Sequence, residues 1–272
     1  MDGSPHRGVL FVDLDGTLVG PDGVAERVWA PLARLLRSGF RVAVCTGRPG
    51  RGIALDIAHR LDPDGLHVFE SGAVVMHARG DVVAHAPMPR AAIEALAAVA
   101  VAERATLEAY TADARYLVPE RDPLVVAHEE LLGFGAEIVA WPPAEPLVRM
   151  QLVVPHAAWP RLAESARDAL AAVSAHEGRS PRMPGVSFVS MTAPGVSKGT
   201  GVRAVLARYG LGREQAAMAG DNLNDLEAFD AVGRVFVPAD GDPRARARAD
   251  VIIASPRDGG VADAALALLA GP

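Results

Sequence analysis

The apolar run at residues 9–12 leads straight into Asp13-Leu14-Asp15-Gly16. In a strand, side chains alternate between faces, so Asp13 and Asp15 share one side of the strand end while Leu14 turns into the core. Two carboxylates so close together repel unless a cation or a shared proton relieves them. A hard divalent metal suits that task, because carboxylate and carbonyl oxygens match magnesium. The ordinary use of Asp15-Gly16 is a hairpin turn. A calcium loop fails on spacing: its glycine belongs at about the sixth loop position, and Gly16 is the fourth residue counted from Asp13.

After the loop Gly20-Pro-Asp-Gly23, residues 24–37 carry apolar positions at helical spacing, 40–45 read as a buried strand, and Thr46-Gly-Arg-Pro-Gly50 opens a helix to about Leu61. Residues 66–70 predict a third strand, and 73–76 with 82–85 a hairpin. This alternation is that of a parallel α/β sheet, whose ligands gather at the carboxyl ends of the strands, where Asp13 and Thr46 fall. The Thr46 hydroxyl and the free N–H groups of a helix start make an anion site, with simple capping as the ordinary alternative.

From residue 87 to 184 the texture changes to paired strands between helices, with helices predicted at 90–104, 123–132 and 158–175. We read residues 87–184 as an inserted α+β cap domain, and 1–86 plus 185–272 as one α/β, Rossmann-like catalytic core. On return to the core, a helix starts at Lys198, and a strand at 216–219 ends in Gly220-Asp-Asn-Leu-Asn-Asp225. A helix start there brings Asp221, Asn224 and Asp225 onto one side, although capping is the ordinary role of such residues. Together Asp13, Asp15, Asp221, Asp225 and Asn224 form an oxygen-rich pocket for one magnesium.

Composition sharpens one residue. Of 27 basic residues, 26 are arginine and only Lys198 is lysine. A cation at a helix start opposes the macrodipole unless negative charge lies nearby, and a bound phosphate supplies it. A compact ammonium also differs from a planar guanidinium, so the choice of lysine is informative. The balance of 33 acids gives a net charge of −6 and no basic tract that could track nucleic acid. Cys45 is the single cysteine, which excludes an internal disulfide and fits a reducing compartment. The first residues lack the order of a signal peptide, and no apolar run approaches the roughly 18 residues of a membrane span. The expected location is the cytoplasm, with no nucleic-acid or membrane partner. The sequence carries no sign of oligomeric state.

Asp-Leu-Asp-Gly-Thr-Leu at 13–18, Cys-Thr-Gly-Arg at 45–48, Ser-Lys-Gly at 197–199 and Gly-Asp-Asn-Leu-Asn-Asp at 220–225 resemble, in order, the four motifs of the haloacid dehalogenase superfamily. An insert between the second and third motifs is similar to the Cof-type branch, whose members are mostly phosphatases of sugar phosphates and other small phosphorylated metabolites. The chain departs from that branch at Glu70-Ser-Gly-Ala73, where many relatives have Asn-Gly-Ala. The resemblance implies Asp13 as nucleophile and Asp15 as acid and base. It implies Thr46, Gly47, Lys198 and Asn224 around the phosphoryl oxygens, and Asp13, the Asp15 carbonyl and Asp221 on Mg2+. Asp225 would orient Lys198 or a metal-bound water. Cap candidates for reading the leaving group are Arg115, Tyr116, Arg149 and Arg182.

Three other readings compete. A sugar phosphomutase would use the same nucleophile and metal. An NAD-dependent oxidoreductase is suggested by Gly199-Thr-Gly-Val-Arg-Ala204, with Asp221 about 20 residues on as the ribose acid. Six residues separate the preceding extended run from Gly199, however, where the dinucleotide turn follows its strand at once. A catalytically silent binding protein on the same fold is the third.

Overall fold

The computed structural model describes residues 6–180 and 182–271. The strands in chain order are β1 (Gly8–Val12), β2 (Phe40–Val44), β3 (Leu66–Phe69), β4 (Val74–His77), β5 (Val82–His85), β6 (Thr106–Tyr110), β7 (Tyr116–Val118), β8 (Glu137–Ile138), β9 (Arg149–Pro155), β10 (Ser174–Gly178), β11 (Val186–Thr192), β12 (Ala216–Ala219), β13 (Arg234–Pro238) and β14 (Val251–Ile253).

Five of them form a parallel sheet in the order β14-β13-β12-β1-β2. Every residue of β1 is buried, as expected of a central strand covered on both faces. Leu10 and Val12 pack on one face against helices Trp29–Arg37 and Val261–Ala270, while Val9 and Phe11 pack on the other with Val202, Val205 and Leu206 of helix Lys198–Tyr209. The hairpin strands β3, β4 and β5 form a small antiparallel sheet, tied to β2 by a parallel bridge between Cys45 and Val68. The chain runs from β1 to β2 on one side and later returns to β12 on the other. That reversal of strand order opens a crevice at the carboxyl ends of β1 and β12.

The remaining strands form the second of the two large sheets, β10-β11-β9-β6-β7-β8. Leu107, Ala109, Met150, Leu152, Val189 and Met191 share one face and pack under helix Arg90–Glu103. By the period of two, Glu108, Tyr110, Arg149, Gln151, Phe188 and Ser190 share the other face.

Three expectations change. Residues 158–175 are not one helix: Trp159–Ser165 and Arg167–Ala171 are short, and Ser174–Gly178 is a strand paired with β11. Val186–Thr192, placed in the core by the boundary at 184, pairs with β9 and β10, so the second sheet extends to Thr192. Its true partners lie in the insert, and an extended run does not announce its partner. Finally, no helix opens at Thr46. Pro49 and a left-handed Gly52 (φ 56°) intervene, and the helix starts at Ile53.

Candidate active site

Asp13 follows β1, and its N–H donates to the Ala219 carbonyl of β12 (2.9 Å), which fixes the strand end across the crevice. Its buried carboxylate accepts from Lys198 Nζ at 2.7 Å. Lys198 is 2 % exposed and also donates to Asp225 at 2.6 Å. Burial alone would lower the lysine, but the two carboxylates outweigh it and hold its pKa above the ordinary lysine range. The negative charge that the helix start requires therefore comes from Asp13 and Asp225. Asp225 is fully committed, since its second oxygen accepts the N–H groups of Asp221 (3.0 Å) and Asn222 (3.1 Å).

Two glycines are dictated by close approach. Gly16 has φ 83°, and a Cβ there would sit 2.4 Å from a carboxylate oxygen of Asp221. Gly72, at φ 98°, would place a Cβ 1.8 Å from the Ser197 carbonyl, so the segment carrying Lys198 rests directly on that backbone. The preceding Glu70 and Ser71 are also left-handed (φ 52° and 55°), a costly conformation for residues with side chains. Their N–H groups donate to the carbonyls of Arg48 (3.0 Å) and Thr46 (3.1 Å), which closes the turn over the Thr46 loop.

One cavity of about 130 Å³ gathers Asp13, Asp15, Thr46, Gly47, Asp221 and Asn224 from the parallel-sheet core. Lys198 joins them through its bond to Asp13, and Asp225 through Lys198. The structure thus brings together every core residue singled out by the sequence. Asn224 Oδ1 is buried without a hydrogen-bond partner among the described residues. Thr46 Oγ1 accepts the Arg48 N–H at 3.2 Å, so the hydroxyl orders its own loop instead of capping a helix.

Arg48 was legible only as a letter of the second motif. Its guanidinium grips both oxygens of Asp15, at 2.7 and 2.6 Å. The partners lie 33 residues apart, and no local pattern connects them. The second sheet contributes Arg149, Gln151 and Ser190 to the same cavity. Arg149, 2 % exposed, pairs with Glu70, donates to Gln151 and lies 3.9 Å over the Tyr110 ring. Of the other cap candidates, Tyr116 is buried against Glu108, while Arg115 pairs with Glu137 and Glu145 outside the cavity. Arg182 is exposed and is not part of the lining.

A metal fits the acidic corner. Asp13, Asp221 and Asp225 each offer an oxygen within 4.8 Å of the others. With Asp225 committed elsewhere, Asp13 and Asp221 keep oxygens to spare. Burial first, and Asp225 second, push Asp221 up to about 7, and burial raises Asp13 despite Lys198. A divalent cation relieves both, and an all-oxygen donor set suits a hard one. The dinucleotide reading fails here. Gly199-Thr-Gly-Val-Arg-Ala204 lies inside helix Lys198–Tyr209, and the strand before it belongs antiparallel to the other sheet.

Comparison with known proteins gives a consistent picture. The family model of the haloacid dehalogenase-like hydrolases matches residues 10–140 and 162–264. The chain is 26% identical over 279 residues to a chloroplastic endoribonuclease YBEY of Arabidopsis thaliana, a match covering 96% of this chain and 46% of that protein. It is 34% identical over 76 residues to a phosphoglycolate phosphatase of Methanothermobacter thermautotrophicus, covering 28% of this chain and 34% of that one. Both matches span less than half of the relative. Among solved structures, a subclass IIB sugar phosphatase of the HAD superfamily superposes with a TM-score of 0.80 at 19% identity, covering 96% of this chain and 98% of that one.

Proposed function

This chain belongs to the haloacid dehalogenase-like hydrolases, and we propose that within that family it is a magnesium-dependent phosphatase of a small phosphorylated metabolite, with Asp13 as nucleophile. The observation that carries the reading is the buried Asp13 carboxylate, held by Lys198 at one oxygen and facing a cavity that also holds Asp15, Thr46 and Asn224. The names of a phosphoglycolate phosphatase and a sugar phosphatase among the similar proteins support the same class. The endoribonuclease name belongs to a protein of which this chain matches 46%, and the net charge of −6 does not favour a polyanion.

In this reading Asp13 attacks phosphorus in line, forming an aspartyl-phosphate as the bond to the leaving oxygen breaks. Asp15 gives that oxygen a proton, then takes one from the water that displaces the phosphoryl group, returning Asp13 and inorganic phosphate. Both Asp15 oxygens accept from Arg48, which fixes the side chain in place. To act as the acid, Asp15 must loosen one of those bonds. Thr46, the Gly47 N–H, Lys198 and Asn224 hold the phosphoryl oxygens. Asp13, Asp221 and the Asp15 carbonyl would hold Mg2+, which supplies neutralisation of the charge that builds on those oxygens. Residues from about 87 to 193 act as the cap that excludes water and reads the leaving group.

The test is phosphate release with magnesium present, using wild type and Asp13→Asn. Losing the nucleophile costs at least about 10³-fold. Wild-type rates in the variant, or in excess chelator, would remove the assignment. Formation of an isomeric phosphate without release would instead favour the mutase.

A further inference from the structure

The polar face of the second sheet contains a carboxylate that the chemistry above does not use. Glu108, on β6, is fully buried. It accepts from Tyr110 Oη (2.8 Å), Tyr116 Oη (2.5 Å) and Gln151 Nε2 (3.1 Å), and His128 Nδ1 lies 2.9 Å from both its oxygens. Burial pushes such a group up, but His128 and the donated hydrogen bonds outweigh it and hold Glu108 below the ordinary glutamate range. An ionised carboxylate only accepts, so the proton between Glu108 and the imidazole resides on Nδ1.

Nε2 is then the free atom of His128, with no hydrogen-bond partner among the described residues. The ring is only 4 % exposed, yet it lines the cavity that holds Asp13 and Asp15. Around it the cavity wall is divided. Leu131, Leu132 and Phe188 are apolar, whereas Gln151 and Ser190 are polar and uncharged. The three arginines of the lining already face carboxylates, Arg149 with Glu70, Arg48 with Asp15 and the more exposed Arg179 with Glu177 at 3.6 Å. An imidazole nitrogen left without a partner beside an apolar patch and uncharged polar groups, on a ring already paired with Glu108, suits a neutral hydroxyl.

We propose that His128 is a specificity-determining residue whose Nε2 hydrogen-bonds a hydroxyl group on the substrate's leaving alcohol, with Glu108 as the positioning residue that holds Nδ1 and so aims the ring. The inference rests on the phosphatase reading above and adds to it which cap atom reads the alcohol.

The test compares p-nitrophenyl phosphate, whose leaving group carries no further hydroxyl, with the best substrate from a panel of pentose, hexose and hexitol monophosphates. The variant is His128→Asn. Its amide still donates to Glu108 from the position of Nδ1, so the buried carboxylate keeps its partner, but nothing replaces Nε2. One lost hydrogen bond predicts that the ratio of kcat/KM for the sugar phosphate over that for p-nitrophenyl phosphate falls about tenfold, with the change carried mainly by KM. Nitrogen NMR of the wild-type ring near neutral pH should show Nδ1 protonated and hydrogen-bonded, and Glu108→Gln should weaken that bond. An unchanged ratio overturns the proposal, as does a ring whose Nδ1 carries no proton. Turnover of p-nitrophenyl phosphate but of no panel member overturns it while leaving the phosphatase reading intact. A wild type inert towards every phosphate ester removes both.

Discussion

Lys198 is the residue at which one atom's position matters most. Its Nζ bridges Asp13 and Asp225 inside a buried pocket that a planar guanidinium overfills. Displacement by about 1 Å costs on the order of 10²-fold, so Lys198→Arg should lose about that much activity. Because the site is buried, overpacking should add about 1–3 kcal/mol of instability, visible as a Tm lower by a few degrees. Steady-state kinetics and thermal unfolding of one sample test both, and near-wild-type activity would withdraw Lys198 from the phosphate site. Its importance was readable from its being the one lysine among arginines, whereas the grip of Arg48 on Asp15 was not, since it exists only after folding. His67 shows a second residue-scale effect. Its Nδ1 accepts from the Val44 N–H and its Nε2 lies 3.0 Å from the Asp62 carbonyl, so the neutral ring is required. Burial pushes it down to about 4 from an ordinary 6.5. Between those values the unfolded chain binds a proton that the folded chain refuses, so stability falls as pH falls, by about 3 kcal/mol in all. Asp62 opposes this: burial pushes it up to about 6, the folded chain takes its proton first, and stability falls as pH rises from 3.8 to about 6. The two nearly cancel in wild type. His67→Gln should therefore gain stability relative to wild type as pH drops from 6.5 to 4. Denaturant unfolding at several pH values measures the difference, and a pH-independent difference would contradict it.

Among elements, the turn Glu70–Gly72 links the two sheets. It closes over the Thr46 loop, carries Ser197 on Gly72, and sends Glu70 to Arg149 of β9. Both partners of that ion pair are buried, and Glu70 Oε1 has no partner among the described residues. Removing one member of a buried pair strands the other, at a cost of about 3–5 kcal/mol, whereas replacing both with apolar groups is often close to neutral. Glu70→Ala should therefore destabilise by about that amount, and adding Arg149→Met should restore most of it in denaturant unfolding. Additive losses would mean that the pair is not the link. The acid Glu70 at the end of the third predicted strand was visible in the sequence, but its partner, 79 residues away, was not. The same limit explains β10 and β11. Alanine-rich periodicity carried the helix reading past Ala172, and the partners of Val186–Thr192 are set by tertiary pairing alone. Elements with strong local punctuation, such as Pro123–Leu132 behind Asp122 and Lys198–Tyr209 before Gly210, were legible.

At the scale of the whole molecule, the two large sheets line one cavity between them. The crevice where strand order reverses between β1 and β12 places Asp13 and Asp221 together, and the polar face of the second sheet completes the cavity. If the second sheet acts as a cap, replacing residues 87–193 with a short flexible linker should abolish discrimination. The loss on the best sugar phosphate should then far exceed the loss on p-nitrophenyl phosphate, and Glu70, newly exposed, needs no partner in water. Equal losses would argue against a role in specificity. The central claim, that Asp13 is the nucleophile, is tested most directly by quenching the enzyme in acid during turnover and mapping the added phosphoryl group by mass spectrometry. The account predicts one acid-stable, hydroxylamine-sensitive phosphoryl group on the peptide containing Asp13, absent from Asp13→Asn. A phosphoryl group on any other residue, or rapid turnover with none trapped on wild type under single-turnover conditions, would contradict it.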